Sequence, residues 1–443
     1  MTISVALGAI DLGVNPVPSK KVSRTGALRN VVASLIPNGR DVLFARAKSP
    51  LAFLVSGDTI AGTGSAAKNW LIDHFSNALE QDVTVLQWVA GADRSSIGSS
   101  RRTYSLDSAS TRAAARGRLG LRDPSDRVRS LVTEYIRLID LPIAPAVVEE
   151  IIRSATYHER LRPHLDHAFA RTLDRVQPQV VLMQSAAYGA WGSLIHLMKE
   201  RGIYVAEPQH GWIGPSHAAY NYGAAMFAPE LRGSAPDELL TFGTWWGEGL
   251  RFPGKLTPIG KPYLEDAVRS ARPKADRNEV LVVSSTSDPR EMSAFVTALR
   301  HELDPSLKVV FRPHPSERPV VAERYGDLIG LGGVEIDSRS DVYEALGAST
   351  AVVGIASTVL FEALAFGCDT FVRESPATAF YVGDRFPVMS KDEAGTTELA
   401  RQIMNRKVGA PPDDLGDNSL WSSGATSRFR VWFEDAIQRQ AAS

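Results

Sequence analysis

From Val280 onward the chain repeats one pattern: a short apolar run rich in β-branched residues, a turn, then a stretch with apolar residues at helical spacing. Val280–Val283, Lys308–Phe311, Val334–Ile336, Ala351–Gly354 and Cys368–Val372 read as strands. Arg290–Glu302, Pro319–Ile329, Ser340–Gly347 and Val359–Phe366 read as helices between them, with Pro319 suited to a first helical turn. Strands joined through helices need right-handed crossovers, and these build a parallel sheet covered on both faces. The first half has the same grammar. Asp41–Ala45, Val83–Val89, Val180–Met183, Ile203–Ala206 and Leu239–Thr241 are expected strands. Asn69–Glu80, Pro145–Arg175 (with a break expected at Pro163) and Tyr188–Arg201 are expected helices. The charged, apolar-poor Glu265–Asn278 reads as a linker. The division is therefore a first α/β unit over 1–264, a linker over 265–278 and a second α/β unit over 279–410. A tail over 411–443 follows, and its helix, bearing Phe429, Val431, Trp432, Phe433 and Ile437, is expected to return to the first unit. Two such units enclose a cleft at the carboxyl ends of their strands, where open α/β sheets bind ligands.

The 443 residues carry 49 Lys plus Arg against 50 Asp plus Glu, a net charge of -1. Such a balance argues against a general nucleic-acid binder. Cys368 is the one cysteine, which excludes an internal disulfide framework and a cysteine-based zinc site and points to a reducing compartment. Met1–Gly13 lacks the basic start of an export signal, and the charge-free stretches Val176–Met198 and Pro208–Pro229 are too polar to span a membrane. A cytoplasmic location is expected, without nucleic-acid partners.

Four loops follow expected strands and carry candidate chemistry. In Phe311–Glu317 (FRPHPSE), two prolines stiffen a turn that presents Arg312 and His314, both able to donate to a phosphate. In Gly354–Leu364 (GIASTVLFEAL), Ser357 and Thr358 open a helix whose free N–H groups favour an anion, and Glu362 lies one turn in, within reach of a ribose. The ordinary structural role of Ser357 is a helix cap. Val283–Asp288 supplies Ser284 and Ser285 for a phosphate or acceptor pocket, or forms a plain turn. In Glu207–Tyr222 (EPQHGWIGPSHAAYNY), Gln209, His210 and Gly211 end a strand, with His217 close by and Tyr188 on the preceding connection. His210 titrates near neutrality and can take a proton from an attacking hydroxyl. His210 and His217 lack the i,i+4 spacing of a helical zinc site, and no metal is expected.

Together, Gln209-His210-Gly211, Gly260-Lys261-Pro262, Arg312-Pro313-His314-Pro315 and Ser357-Thr358 followed by Glu362 resemble the GT-B glycosyltransferases of bacterial surface-polysaccharide synthesis. The second half is similar to bacterial sialyltransferases and capsular Kdo transferases, and the His-Gly and Arg-x-His-Pro motifs are similar to those of CDP-glycerol glycerophosphotransferases. The resemblance implies a GT-B fold, two Rossmann-like domains facing across a cleft. It implies a nucleotide-activated sugar or polyol donor, CMP- or CDP-linked, and a glycan or lipid-linked acceptor. His314, Ser357 and Thr358 would hold the donor phosphate, and His210 would match the base. The chain departs from the sialyltransferases in having no Asp-Asp-Gly or Glu-Asp-Gly triplet in its first half. It departs from the glycerophosphotransferases in continuing His-Gly with Trp212-Ile213-Gly214-Pro215.

Other signals are absent. No G-x-G-x-x-G follows the first strand, Gly57, Gly62 and Gly64 being wrongly spaced, and there is no phosphate-binding G-x-x-x-x-G-K-[ST] loop or G-x-S-x-G elbow. Arg101–Arg129 holds eight arginines against Asp107, Asp123 and Asp126. It reads as a solvated irregular loop, with contact to an anionic membrane or a charged acceptor as the functional reading. Two further function classes stay open at this level. One is a nucleotide-sugar 2-epimerase using paired carboxylates such as Glu207 and Asp288. The other is a non-catalytic scaffold of a polysaccharide assembly complex.

Overall fold

The computed structural model describes residues 41–442 apart from 46–47, 57–59, 62–67, 80–82, 89–101, 121–122, 140–142, 190, 271–276, 286–287, 383–384 and 406–414. The expectations for Met1–Gly13, Gly57, Gly62, Gly64, Arg101 and the 409–414 part of the tail lie outside the described residues.

The first half is built on β1 (Leu51–Ser56), β4 (Val83–Trp88), β5 (Thr103–Ser105), β6 (Val180–Met183), β7 (Tyr204–Pro208), β8 (Glu238–Thr241) and β9 (Lys255–Pro258). They form one parallel sheet in the order β5-β4-β1-β6-β7-β8-β9. A small antiparallel pair, β2 (Ile60–Ala61) and β3 (Lys68–Asn69), stands apart. The second sheet is also parallel, in the order β12-β11-β10-β13-β14-β15. Its strands are β10 (Glu279–Val283), β11 (Lys308–Arg312), β12 (Val334–Ile336), β13 (Ser349–Gly354), β14 (Asp369–Arg373) and β15 (Val388–Met389).

The helices named here are α1 (Asp73–Asn77), α2 (Asp107–Leu119), α3 (Ser125–Ile139), α4 (Pro145–Val176) and α5 (Gly192–Lys199) in the first half. Then come α6 (Pro262–Ser270), α7 (Pro289–Glu302), α8 (Val342–Ala348), α9 (Thr358–Ala365), α10 (Pro376–Tyr381), α11 (Glu393–Met404) and α12 (Ala425–Ala442).

Strand periodicity sorts the core into layers. Along β1, Ala52 and Leu54 enter one cluster with α4 and α5, while Leu51, Phe53 and Val55 enter another with α12. Along β10, Val280 and Val282 face α7 and α11, while Leu281 and Val283 enter a cluster that spans both halves. That shared cluster gathers Tyr220, Phe242 and Trp246 from the first half with Tyr343, Leu360, Phe361 and Phe366 from the second. Its continuity fixes the two sheets against each other.

Several expectations need correction. Asp41–Ala45 is not a strand. Asp41 caps a single 3-10 turn, Val42–Phe44, accepting from Leu43 N–H at 2.8 Å. The strand there is instead LAFLVS, β1, which lies between β4 and β6 and is buried at five of its six positions. Pro163 breaks nothing: α4 runs 32 residues through it. The linker begins later than expected, because Glu265–Ser270 belongs to α6. Arg101–Arg129 is not an irregular loop, since α2 and the start of α3 occupy most of its described part. Pro319–Ile329 divides into short turns around Val321–Arg324. The tail helix α12 packs on α1 and the first sheet, with Phe75 and Phe429 rings 4.4 Å apart.

Candidate functional site

The strand order reverses at two points, beside β1 in the first sheet and between β10 and β13 in the second. Crevices at such reversals are where open α/β sheets receive ligands. The candidate residues cluster at the carboxyl ends of β6 and β7 in the first half and of β10, β11 and β13 in the second.

β7 delivers Glu207 into the interior, where its side chain is fully buried. Its Oε2 accepts from Ala187 N–H and its Oε1 from Tyr220 O–H, both at 2.7 Å. Burial pushes the carboxyl up to about 7, although both hydrogen bonds favour the charged form. Three residues on, His210 Nδ1 lies 3.6 Å from Glu207 Oε1, and on the other edge of the ring Nε2 lies 3.4 Å from Ser185 Oγ. Ser185 ends β6 in the left-handed region, φ 56, a conformation that only Gln177 shares among the described non-glycine residues. Backbone held there costs free energy and marks a site whose surroundings enforce it.

A second imidazole is tied to the first. Ala219 N–H donates to His217 Nδ1 at 3.1 Å, so the proton sits on Nε2, which faces Tyr188 Oη at 3.4 Å. Burial, reinforced by His210, lowers the His217 pKa to about 4, so this ring is neutral across the physiological range. Burial first, then Glu207, raises the Tyr188 hydroxyl to about 12. Trp212 stacks on His217 at 5.4 Å and meets the Tyr381 ring edge-on at 4.6 Å. The His-Gly loop therefore touches α10 of the second half. A Cβ added at Gly211 would meet nothing within 4 Å, so open space adjoins the backbone there.

In the second half, Ser285 follows β10 and accepts from Ala356 N–H at 3.2 Å, joining the two strands that flank the reversal. Ser357 caps α9, accepting from Val359 N–H at 3.2 Å, and Thr358 is its half-buried first residue. His314 stands exposed on the loop after β11. Its N–H donates to Glu317 Oε2 at 3.0 Å, and its Nδ1 lies 2.7 Å from Ser316 Oγ. Glu317, fully buried, also accepts from Tyr325 O–H at 2.6 Å. It holds the loop's shape from beneath.

Four candidates are engaged within the protein. Arg312 pairs with buried Asp337 and donates to Arg339 O at 3.3 Å, bracing the loop after β12. Glu362 is buried against Lys261, Nζ to Oε1 2.5 Å. Gln209 is buried with both ends of its amide engaged, by Gly211 O at 2.9 Å and Phe242 N–H at 2.7 Å. Ser284 is buried beside Tyr325 Oη at 3.1 Å. Each was read from its place after a strand, and the same place suits a residue that locks strand ends together.

The sequence alone assigns no role to Ser185 or Glu317, names Lys261 only within the Gly260-Lys261-Pro262 motif, and gives Glu207 a carboxylate role without its neighbour His210. Glu207 had a legible signal: it is the one charged residue between Arg201 and Glu230. Ser185 had none, because its backbone angle is set by tertiary contacts. Among the described residues, no group of three His, Cys, Asp or Glu is placed to hold a metal. No helix among them is long and apolar enough to cross a membrane.

No family model and no curated protein matches the chain. Solved structures do. UDP-GlcNAc 2-epimerase from Neisseria meningitidis, bound to UDP-GlcNAc, is similar at TM-score 0.50 and 9% identity, over 88% of this chain and 99% of that one. The fold is of the GT-B type. The α,α-trehalose 6-phosphate synthase of Burkholderia multivorans matches at TM-score 0.47 and 12% identity, over 89% of this chain and 97% of that one. MurG of Acinetobacter baumannii matches at TM-score 0.42 and 10% identity, over 89% and 99%. At these identities the likeness is one of architecture, and function has to be argued from the site.

Proposed function

We propose that this chain is an inverting glycosyltransferase that moves a sugar from a nucleotide-activated donor to a hydroxyl of a surface-glycan or lipid-linked acceptor. The reading rests on one observation: His210 lies between buried Glu207, 3.6 Å from Nδ1, and Ser185, 3.4 Å from Nε2, beside the open space at Gly211. With Nδ1–H turned to Glu207, Nε2 offers its lone pair to the acceptor. The acceptor hydroxyl gives its proton to Nε2 as its oxygen bonds to the anomeric carbon. The bond from that carbon to the donor phosphate breaks, and its electron pair leaves on the phosphate. Glu207, once ionised, stabilises the imidazolium that forms. Ser285, Ser357, Thr358, the first turn of α9 and His314 are the proposed hold on the departing phosphate. Tyr188 and His217 are the proposed acceptor-side wall. A cytidine nucleotide is the expected donor carrier, and the cytoplasm, at the inner face of a membrane, the expected place of action.

Epimerising a sugar carbon by proton exchange takes acid/base groups in contact with substrate, and Glu207 and Asp288 are the carboxylates the sequence offers for it. Glu207 is sealed with both oxygens bonded, and Asp288 caps α7, accepting from Arg290 and Glu291 N–H. Their engagement favours transfer over epimerisation. The test is a thermal-shift panel of CMP, CDP, UDP and GDP, followed by incubation with the matching nucleotide sugar. Release of nucleotide that depends on acceptor and drops in His210→Ala is expected. Epimerised nucleotide sugar formed without acceptor would overturn the reading.

A further inference from the structure

Away from the sheet reversals, α2 and α4 pack side by side and leave a hollow between them that is open to solvent. Its rim is basic from both sides. Arg112 and Arg116 are four apart on α2, and His164, His167, Arg171 and Arg175 follow one another at three- and four-residue steps on α4. Those spacings put each set on one face of its helix. Val42, Leu43, Ala109, Ala113, Ala168 and Thr172 complete the lining, so no acidic residue is among it within the described residues. The small side chains leave the space, and close approach of the helices is permitted farther along. There a Cβ on Gly117 would come within 2.7 Å of Leu161 Cδ2.

The carboxylates on α4 are turned to other partners. Glu159 and Asp166 meet Arg162, Asp166 also accepts from Ser193, and Asp174 lies near Arg201. Arg112 donates to Ser108 Oγ at 3.2 Å, a neutral partner that positions the guanidinium without cancelling its charge. The C-terminal end of the α4 dipole accounts for a cation at Arg175, in the last turn, but not for those at 112, 116 and 171. Four arginines line one hollow with no acidic neighbour in it among the described residues; like charges so placed repel, and an anion removes that cost. The α4 stripe from His164 to Arg175 spans about 16 Å at 1.5 Å per residue. One phosphate cannot meet all of it.

We propose that this hollow binds a ligand carrying a diphosphate group, separate from the nucleotide crevice between β10 and β13. Guanidinium forks suit phosphate oxygens in pairs, and two linked phosphates match the two facing stripes. The group can belong to a soluble metabolite or to a lipid-linked headgroup, and the binding chemistry is the same.

The test uses the full chain and inorganic pyrophosphate, with titration calorimetry and thermal shift at low ionic strength. Pyrophosphate is expected to bind with a clear rise in melting temperature and more tightly than inorganic phosphate. In Arg116→Gln/Arg171→Gln the affinity is expected to fall at least about 30-fold, the order set by losing two charge-assisted contacts. The same variant without ligand is expected to melt at or above the wild-type temperature, because repulsion has been relieved. A collapse in its ligand-free stability would overturn the proposal by making these arginines structural. Absence of pyrophosphate binding would also overturn it. So would unchanged binding in the double variant together with loss in His314→Ala, which would assign the ion to the crevice. Sedimentation with vesicles doped with a prenyl diphosphate, against phosphatidylglycerol vesicles alone as the control, distinguishes the sources. Arginine-dependent pelleting supports a headgroup, and retained pyrophosphate binding without pelleting supports a soluble ligand. The inference does not depend on the glycosyltransferase reading, since neither arginine enters that site.

Discussion

Lys261 and Glu362 meet across the two halves of the molecule, Nζ 2.5 Å from Oε1, with both side chains buried. The lysine enters from the start of α6 and the glutamate from α9, and Phe242 lies under the ammonium at 5.0 Å. Tyr343 packs beside them, its hydroxyl pKa raised strongly by burial and then by Glu362. A sealed ion pair of this kind adds little net stability, but removing one partner strands the other charge in the interior.

Lys261→Met is therefore expected to destabilise the chain by about 3–5 kcal/mol in urea unfolding. Lys261→Met/Glu362→Leu is expected to recover much of that loss. A double variant no more stable than the single one would show that the carboxylate is not the source of the cost.

Glu207 predicts a pH dependence of activity and of stability with opposite signs. Its folded pKa of about 7 lies above the ordinary 4.5, so the folded state keeps a proton that the unfolded state has lost. Stability from this residue is full below about pH 4.5 and declines as pH rises to about 7, on the order of 3 kcal/mol in total. Activity should rise over the upper part of that window, as the carboxylate ionises behind His210. Glu207→Gln is expected to flatten the stability slope and to lower kcat without a matching change in KM. A wild-type pH-rate profile in this variant would remove Glu207 from the mechanism.

His217 acts the other way on stability. Its folded pKa of about 4 lies below the ordinary 6.5, so the unfolded chain binds a proton first as pH falls. Its contribution is full above about pH 6.5 and is lost toward pH 4. His217→Asn is expected to unfold less readily in acid, relative to its own stability at pH 7, than the wild type does. Denaturant midpoints taken at pH 4.5 and pH 7 check this directly.

His210→Ala is expected to lower transfer by about 10²–10⁴-fold, the usual worth of a general base, while nucleotide affinity in the panel is unchanged. Loss of nucleotide affinity with chemistry intact would place the imidazole on the donor instead.

Gly260→Ala and Gly424→Ala form a matched pair. Both glycines have positive φ, +90 and +75. A Cβ at 260 would lie 2.1 Å from Ser422 O, whereas one at 424 would meet nothing within 4 Å. The 424 substitution should cost only the backbone conformation, about 1 kcal/mol, and the 260 substitution clearly more. Equal losses would mean that the 419–425 segment yields easily.

The second half was the more legible in sequence. All five expected strands there occur, because each is a short apolar run closed by turn residues, and all but the edge strand β12 are largely buried. The first half misled where two apolar runs lie close together: VLF after Asp41 is a capped turn, and LAFLVS after Pro50 is the strand. Periodicity alone does not choose between such runs, since tertiary pairing with β4 and β6 does. At the site, residue type found His210, His217 and Tyr188, which the structure gathers together. Arg312, Glu362 and Gln209 have polar groups engaged by Asp337, Lys261 and neighbouring backbone, partners that residue type does not reveal. Position along a strand is visible in sequence, but the partner that claims a charge is not.

The return of α12 to the first sheet also sets an order of events during synthesis. Phe429 and Phe433 are fully enclosed against Leu51, Phe53 and Val55, residues made nearly four hundred codons earlier. While the ribosome is still extending the later lobe, that face of the earlier one has no cover. The nascent chain must be shielded from self-association until its final turn emerges and closes the lid on what was made first.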